Sequence, residues 1–311
     1  MKPRSRTLRK INSLFVDRDV EIEHFKRDLQ PDDADMPVYY ITGENDIGKS
    51  WLLHKFYMEC DAQGWLTMMI DFSQGHGRFT DYLSILREIQ LTLEQPFERY
   101  QERTAKALQI PVVKVLTGAG DAGRAVDVDA DAKVEGVTLS GQFAARDINN
   151  FYIQVRNRDT LRQIDVISQL TEAFLEDLVE YVGDRSIIFL FDDIGSRADG
   201  EPFLDSQTRR WLIRDFIIPL CDDMLPTARF VITQRDELEP GLQTMLSDLV
   251  KRHTLTEFSG DENSLFEIYR TYLVSRHGIP ATSVSDEMLK LFHHVVKGKP
   301  AMMFTMAQSL K

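Results

Sequence analysis

The sequence predicts an α/β fold with a mainly parallel sheet and a helical C-terminal part, and three observations predict it. The first is Val38-Tyr39-Tyr40-Ile41-Thr42, a β-branched and aromatic run. It is followed by a glycine-bounded loop and by Trp51-Leu52-Leu53-His54-Lys55-Phe56-Tyr57-Met58, whose apolar positions fall at helical spacing. The second is Ile187-Ile188-Phe189-Leu190-Phe191, a continuous apolar run ending in Asp192-Asp193, as expected of a strand buried on both faces. The third is the stretch beyond Asp261, where only helical periodicity remains, over residues 262–277, 286–296 and 300–310.

The loop between the first strand and its helix reads Gly43-Glu44-Asn45-Asp46-Ile47-Gly48-Lys49-Ser50 and fits the pattern G-x-x-x-x-G-K-[ST]. A di- or triphosphate is wrapped by backbone N–H groups at the positive end of a helix, so the chain must come close to the oxygens, and glycine permits this. Lys49 supplies a mobile charge for the β- and γ-phosphates. The Ser50 hydroxyl suits a magnesium ion, which prefers octahedral oxygen. Trp51 follows at the start of the helix. The fold so predicted is a P-loop NTPase core with a mainly parallel sheet, a β-rich insertion and a C-terminal helical lid.

Composition sets the frame. With 43% hydrophobic and 28% charged residues, the 311-residue chain has the make-up of an ordinary soluble protein with a real core. No apolar run approaches the length of a membrane span, and the basic N-terminus lacks the apolar stretch of a secretory signal. Cys60 and Cys221 are too few and too far apart for a disulfide framework or a zinc site, which points to a reducing cytoplasm. The histidines form no H-x-x-x-H pair, and His293-His294 read as packed or solvated imidazoles on a helix. A net charge of -12 argues against a broad nucleic-acid surface. The exception is the segment of residues 2–10, rich in Lys and Arg, which reads as a solvated, poorly ordered terminus.

In chain order, apolar residues at 22, 25 and 29 predict a helix within 11–30, with Asp19 as its N-cap. The run Gln30-Pro31-Asp32-Asp33-Ala34-Asp35 is a turn-rich connection. Residues 65–72 predict a second buried strand and residues 81–93 a helix. A long amphipathic helix over 161–181 leads to the strand ending in Asp192-Asp193. Ligands bind at the carboxyl ends of strands in such sheets. Asp192 is thereby expected beside the loop, holding magnesium directly or through water, with Asp193 orienting or activating a water. A helix over 207–220 precedes Arg229-Phe230-Val231-Ile232-Thr233-Gln234-Arg235, a strand from whose end Arg235 would reach the γ-phosphate. Residues 254–258 are expected to be the fifth strand. Gly298-Lys299-Pro300 separates the last two helices, with Pro300 in a first turn.

Between 111 and 155 the texture changes. Val126, Val128, Ala130, Ala132 and Val134 alternate with charged residues, and a second apolar set follows, with Gly136 and Gly141 as turns. This predicts short half-exposed strands inserted into the core. Asp127-x-Asp129-x-Asp131 is no calcium loop, because Ala132 sits where glycine is needed and Thr138 where the bidentate Glu belongs. Strand edges of this kind favour self-association or a protein partner.

Taken together, Phe15-Val16-Asp17-Arg18-Asp19-Val20-Glu21, the phosphate loop, Asp192-Asp193, Thr233-Gln234-Arg235 and Gly298-Lys299-Pro300 resemble the STAND class of P-loop ATPases. These are AAA-related nucleotide switches of bacterial regulators and defence proteins, including the NACHT and NB-ARC groups. The resemblance implies that Phe15, Val16 and Arg18 serve the adenine side, that Ser50 and Asp192 hold magnesium, and that Asp193 is the catalytic acidic residue. It further implies that Arg235 reads the γ-phosphate and that Pro300 is a lid proline against adenine. Asp17 replaces the usual glycine of the N-terminal motif. Asn45-Asp46 stands where Gly-Gly is frequent, and the Asp46 carboxylate is expected to weaken nucleotide affinity. No winged helix, repeat array or effector segment follows the lid helices, so sensing and output parts are expected elsewhere.

The expected organisation is a tail with the adenine-side motif over 1–30, the nucleotide core over 31–258, and the lid over 259–311. The expected function is an ATP-binding, slowly hydrolysing switch using ATP/ADP and Mg2+, cytoplasmic, with no membrane. The alternatives are a scaffold holding ADP or lacking nucleotide, and, as a minor one, a nucleic-acid-associated AAA ATPase.

Overall fold

The structure, a computed structural model, describes residues 5–15, 18–28, 36–73, 81–108, 160–195, 202–258 and 261–310. The expected strands of 111–155, and Val16 and Asp17, lie outside the described residues. Five strands, β1 (Val38–Thr42), β2 (Leu66–Asp71), β3 (Ile187–Asp192), β4 (Ala228–Gln234) and β5 (Val250–Thr254), form one sheet in the order β2-β3-β4-β1-β5. Every pairing is parallel. The three inner strands are buried along their whole length, while the edge strands β2 and β5 are not. That is why β3 is a nearly continuous apolar run, while the polar residues of β1 and β4 sit at or near the strand ends.

The strand period of two divides the core. Tyr39, Ile41, Ile188, Leu190 and Val231 pack with α2 (Asp19–Asp28) and α3 (Lys49–Ala62), where Phe25 and Phe56 stack at 3.6 Å. Phe189 and Phe230 stack at 4.9 Å, and Phe189 meets Phe216 edge-on at 5.6 Å.

Two expectations need correction here. From Ser5 on, the basic segment is not a loose terminus: α1 (Ser5–Leu14) is a helix whose Ile11 and Leu14 are buried and whose Lys10 ammonium lies 4.4 Å from the Phe304 ring. Its apolar positions Leu8, Ile11 and Leu14 form one stripe that the surrounding charges hide. The fifth strand is Val250–Thr254 rather than 254–258. Beyond Thr254 only the Leu255 amide reaches β1, donating to the Thr42 carbonyl at 2.7 Å, and the chain then turns so that the Phe258 amide meets the Gly298 carbonyl at 3.0 Å. Lys251, Arg252 and His253 make β5 look polar, as suits a short edge strand.

Elsewhere differences are small. Asp19 opens α2 from its first turn instead of capping it, and Asp81 caps α4 (Tyr82–Leu93) through the Ser84 amide at 3.0 Å. The helix expected over 207–220 is α7 (Ser206–Trp211), which widens into π-helical turns over Leu212–Ile217 and Leu220–Met224. A short α8 (Pro240–Met245) precedes β5.

The contacts divide into two compact units, one made of 1–94 and 182–311, the other of 95–181. In the second, α5 (Glu98–Leu108) and α6 (Thr160–Val182) are described. Phe97 and Tyr100 meet Phe174 edge-on at 4.8 and 5.2 Å, and the Asp177 carboxylate accepts from the Tyr100 amide and Arg99. In the first unit the C-terminal helices are α9 (Glu262–Thr271), continued by a π-helical turn over Tyr272–Arg276, α10 (Asp286–Val296) and α11 (Pro300–Ser309). They share an apolar cluster around Tyr269, Leu289, Phe292 and Met303 that also takes in Leu14 and Phe258. His293 is a packed imidazole, 2.8 Å from the Tyr269 hydroxyl. Among the described residues no helix is long and apolar enough to cross a membrane.

Candidate functional site

The loop after β1 owes its path to its glycines. Gly43 has φ +154°, and a Cβ there would stand 2.6 Å from the Leu255 carbonyl oxygen, so only glycine lets the loop leave the sheet beside β5. Gly48, left-handed at φ 94° and ψ 16°, turns the chain into α3. Asp46 is also left-handed, at φ 66°, a conformation Asp tolerates better than most residues; Asn45 is not. The loop thus sits at the amino end of a 14-residue helix, whose dipole and free N–H groups favour an anion.

Lys49, nearly buried, folds its ammonium onto the loop and donates to the Gly43 and Glu44 carbonyls at 2.6 and 2.8 Å. Burial lowers its pKa, while the carboxylates of Asp193, Asp192 and Asp46 oppose that shift. The Asp46 side chain therefore acts on the lysine that the pattern assigns to phosphate.

β4 lies between β1 and β3, and its end ties the carboxylates together. The buried Thr233 hydroxyl donates to Asp192 Oδ1 at 2.6 Å and accepts from the Asp193 amide at 3.1 Å. The Ser50 side chain is near enough to Asp192 to pull its pKa down. Asp192 is buried, and burial, followed by the neighbouring Asp71, raises its pKa. Asp71 ends β2 in register with Asp192. Asp193 is left-handed at φ 60°, and its Oδ1 is buried without a hydrogen-bond partner. Burial and then Asp192 push its pKa up to about 6, against the pull of Lys49.

Ser50 and Asp192 are thus together, two hard oxygen donors of the type magnesium takes with phosphate oxygens and water. No group of three or more His, Cys, Asp or Glu among the described residues is arranged to hold a metal by protein ligands alone. The donor set fits an ion shared with a phosphate better than a protein-only cage.

Arg235 is half exposed just past β4, with Nε 3.8 Å from Asp236 Oδ1. Its charge is felt at both Lys49 and Glu44.

A cleft adjoins the loop. Phe15, Arg18, Gly48, Trp51 and Pro300, assigned to one site from the sequence, all line it. Leu14, Tyr272 and Met303 line it too, and sequence reasoning missed them. Arg18 acts as a clamp: one guanidinium nitrogen pairs with Glu21 at 2.8 Å, the other donates to the Ile47 and Thr256 carbonyls at 3.4 and 2.6 Å, and the group lies 4.7 Å from the Phe258 ring. It holds the loop to the β5 exit.

The last helix touches the loop directly. The Ala301 amide donates to the Asp46 carbonyl at 3.2 Å, and a Cβ on Gly48 would meet Pro300 Cγ at 3.4 Å. Lys299 pairs with Glu44 at 2.8 Å, which lowers the Glu44 pKa, and with Glu257 at 3.5 Å. Gly298 permits this approach, because a Cβ there would stand 2.6 Å from the Phe258 carbonyl oxygen.

A glycine-bounded loop between β1 and its helix, paired carboxylates ending β3 and a five-stranded parallel sheet with β4 between them define a P-loop NTPase fold. Among solved structures the chain resembles the Aeropyrum pernix ORC2 protein in ADPNP–ADP complexes, at 13% identity and a TM-score of 0.50, covering 95% of this chain and 64% of that one. It also resembles the ADP form of the same protein, at 11% identity and TM-score 0.45, covering 97% and 68% of the two chains. A third is the E. coli MS115-1 HORMA:CdnC:Trip13 complex, at 10% identity and TM-score 0.39, covering 98% and 86%. No protein-family model and no curated protein matches the sequence.

Proposed function

We propose that the chain is an ATP-binding and slowly hydrolysing switch of the STAND type, working in bacterial signalling, regulation or defence. The observation that carries the reading is the meeting of core and last helix at one place: Pro300 against Gly48, and the Ala301 amide on the Asp46 carbonyl. A ligand touching both loop and helix has different contacts in its tri- and diphosphate forms, which a population shift requires. The ORC2 structure of similar fold is itself an ADPNP–ADP complex, which supports nucleotide as the ligand.

In this reading Lys49 leaves the Gly43 and Glu44 carbonyls for the β- and γ-phosphate oxygens. Bound magnesium supplies charge neutralisation at those phosphates, with Ser50 and Asp192 as its protein donors. Asp193, ionised at neutral pH, holds a water and takes its proton. The water oxygen bonds to the γ-phosphorus as the bond to the β–γ bridging oxygen breaks, giving ADP and phosphate. Arg235 stabilises charge on the transferred group.

Isothermal titration with MgATP is the test. Binding by wild type that is lost in Lys49→Ala supports the reading, and equal affinity in the two proteins refutes it. A nucleic-acid-associated ATPase stands beside this reading on one observation: from Ser5 on, the basic segment forms a helix, α1, with Arg9 exposed. Fluorescence anisotropy with a short duplex decides that point, since phosphate contacts make the affinity fall steeply with salt.

A further inference from the structure

The cleft that Gly48, Trp51, Pro300 and Met303 line is nearly shut: it encloses about 20 Å³, room for about one water and far too little for a purine. Three ties hold the first turn of α11 down on that side. The Ala301 amide donates to the Asp46 carbonyl at 3.2 Å, and the Gly298 carbonyl accepts from the Phe258 amide at 3.0 Å. The third tie is ionic. Lys299, the N-cap residue of α11, places its ammonium 2.8 Å from Glu44 Oε2 and 3.5 Å from Glu257 Oε1.

The ionic tie is the one that water reaches, since the Glu44 side chain is 76% exposed and that of Lys299 26%. It also joins α11 to a side chain of the phosphate loop. Glu44 is thereby held twice, because its carbonyl accepts from Lys49 at 2.8 Å while its carboxylate takes Lys299. A ligand phosphate that draws Lys49 away releases one of those two holds. Between α10 and α11, Lys297 and Gly298 are both left-handed, at φ 48° and 74°. Such element-terminal residues absorb the backbone change of a hinge, and about this corner the first turn of α11 can swing.

We infer that Lys299 is an ionic latch: its pair with Glu44 keeps α11 closed over the cleft, and a nucleotide base enters only when that pair opens. The inference rests on the nucleotide-binding reading above and adds the regulation of that site, because the latch sets the fraction of molecules open to a base. Apparent affinity falls in proportion to that fraction, so latch and base compete. An exposed ion pair shifts such an equilibrium by about two- to fivefold. The sign of the effect separates the latch from plain attraction. Removing the Lys299 charge takes a cation away from the loop, which by attraction alone weakens the binding of any polyphosphate.

The experiment is isothermal titration of ADP, and of inorganic tripolyphosphate, which has no base to admit, into the full chain as wild type, Lys299→Gln, Lys299→Arg and Lys49→Ala. Lys299→Gln should bind ADP about two- to fivefold more tightly and tripolyphosphate no more tightly than wild type. Without ligand, its Ala301 amide hydrogen should exchange faster by the same factor. Lys299→Arg keeps the charge and should match wild type in all three. ADP affinity of Lys299→Gln equal to or below that of wild type overturns the inference, while Lys49-dependent ADP binding leaves the nucleotide reading standing. An equal gain for ADP and tripolyphosphate overturns it as well, and so does unchanged Ala301 exchange, a readout that needs no ligand. No ADP binding by wild type overturns both readings.

Discussion

Replacing Thr233 by Val keeps the shape of a fully buried side chain and removes the hydroxyl that joins Asp192 to the Asp193 amide. The bond to Asp192 is short, 2.6 Å, and a bond to a charged group contributes about 1.5–3 kcal/mol. The second bond, 3.1 Å from the Asp193 amide, holds a left-handed residue, and losing it leaves a partly buried N–H unpaired at a cost of about 1–3 kcal/mol. The expected loss is about 3 kcal/mol, a fall in melting temperature of roughly 6–12 °C for a unit of this size. Urea unfolding of wild type, Thr233→Val and Thr233→Ser measures it. Thr233→Ser retains the hydroxyl and should lose only about 1 kcal/mol, the worth of a buried methyl group. A Thr233→Val loss below about 1 kcal/mol, or equal losses in the two variants, would refute the bridging role.

Gly43→Ala should cost about 2–3 kcal/mol, since φ +154° is strained for alanine and the new Cβ would collide with the Leu255 carbonyl oxygen; a melting scan checks it. Asp193 has a folded pKa of about 6, above its ordinary 3.8, so the native state binds that proton more tightly than the unfolded chain. Its ionisation therefore removes stability as pH rises from about 4 to about 6, by about 2 kcal/mol, and Asp193→Asn should flatten that slope in unfolding measured across the window. ATP turnover by wild type should rise through the same window as the carboxylate ionises, and a rate falling between pH 5 and 7 would count against Asp193 as the base.

The centre of the sheet was legible in the sequence because burial on both faces favours apolar residues: Ile187–Asp192 reads as a strand from composition alone. The phosphate loop was legible because close backbone approach demands Gly43 and Gly48 where the pattern has them. β5 was misplaced because an edge strand carries Lys251, Arg252 and His253, while the apolar Leu255 and Phe258 beyond it serve a turn. The basic helix α1 was missed because long charged side chains conceal a sparse apolar stripe. For the site, Phe15, Arg18 and Pro300 were singled out through a resemblance and line one cleft, yet nothing local marked Tyr272 or Met303: on an amphipathic helix such residues read as core, and only the fold shows that they line that cleft too. Thr233 was visible as part of a strand end, but its bridging role depends on β4 lying between β1 and β3, an order that no single strand encodes.

The central claim is that residues 43–50 hold nucleotide phosphates through Lys49. Titrating MgATP into wild type and Lys49→Ala tests it most directly. The account predicts saturable binding by wild type at one site per chain and no measurable binding by Lys49→Ala, with both proteins folded by circular dichroism. Indistinguishable affinities in the two folded proteins would contradict it.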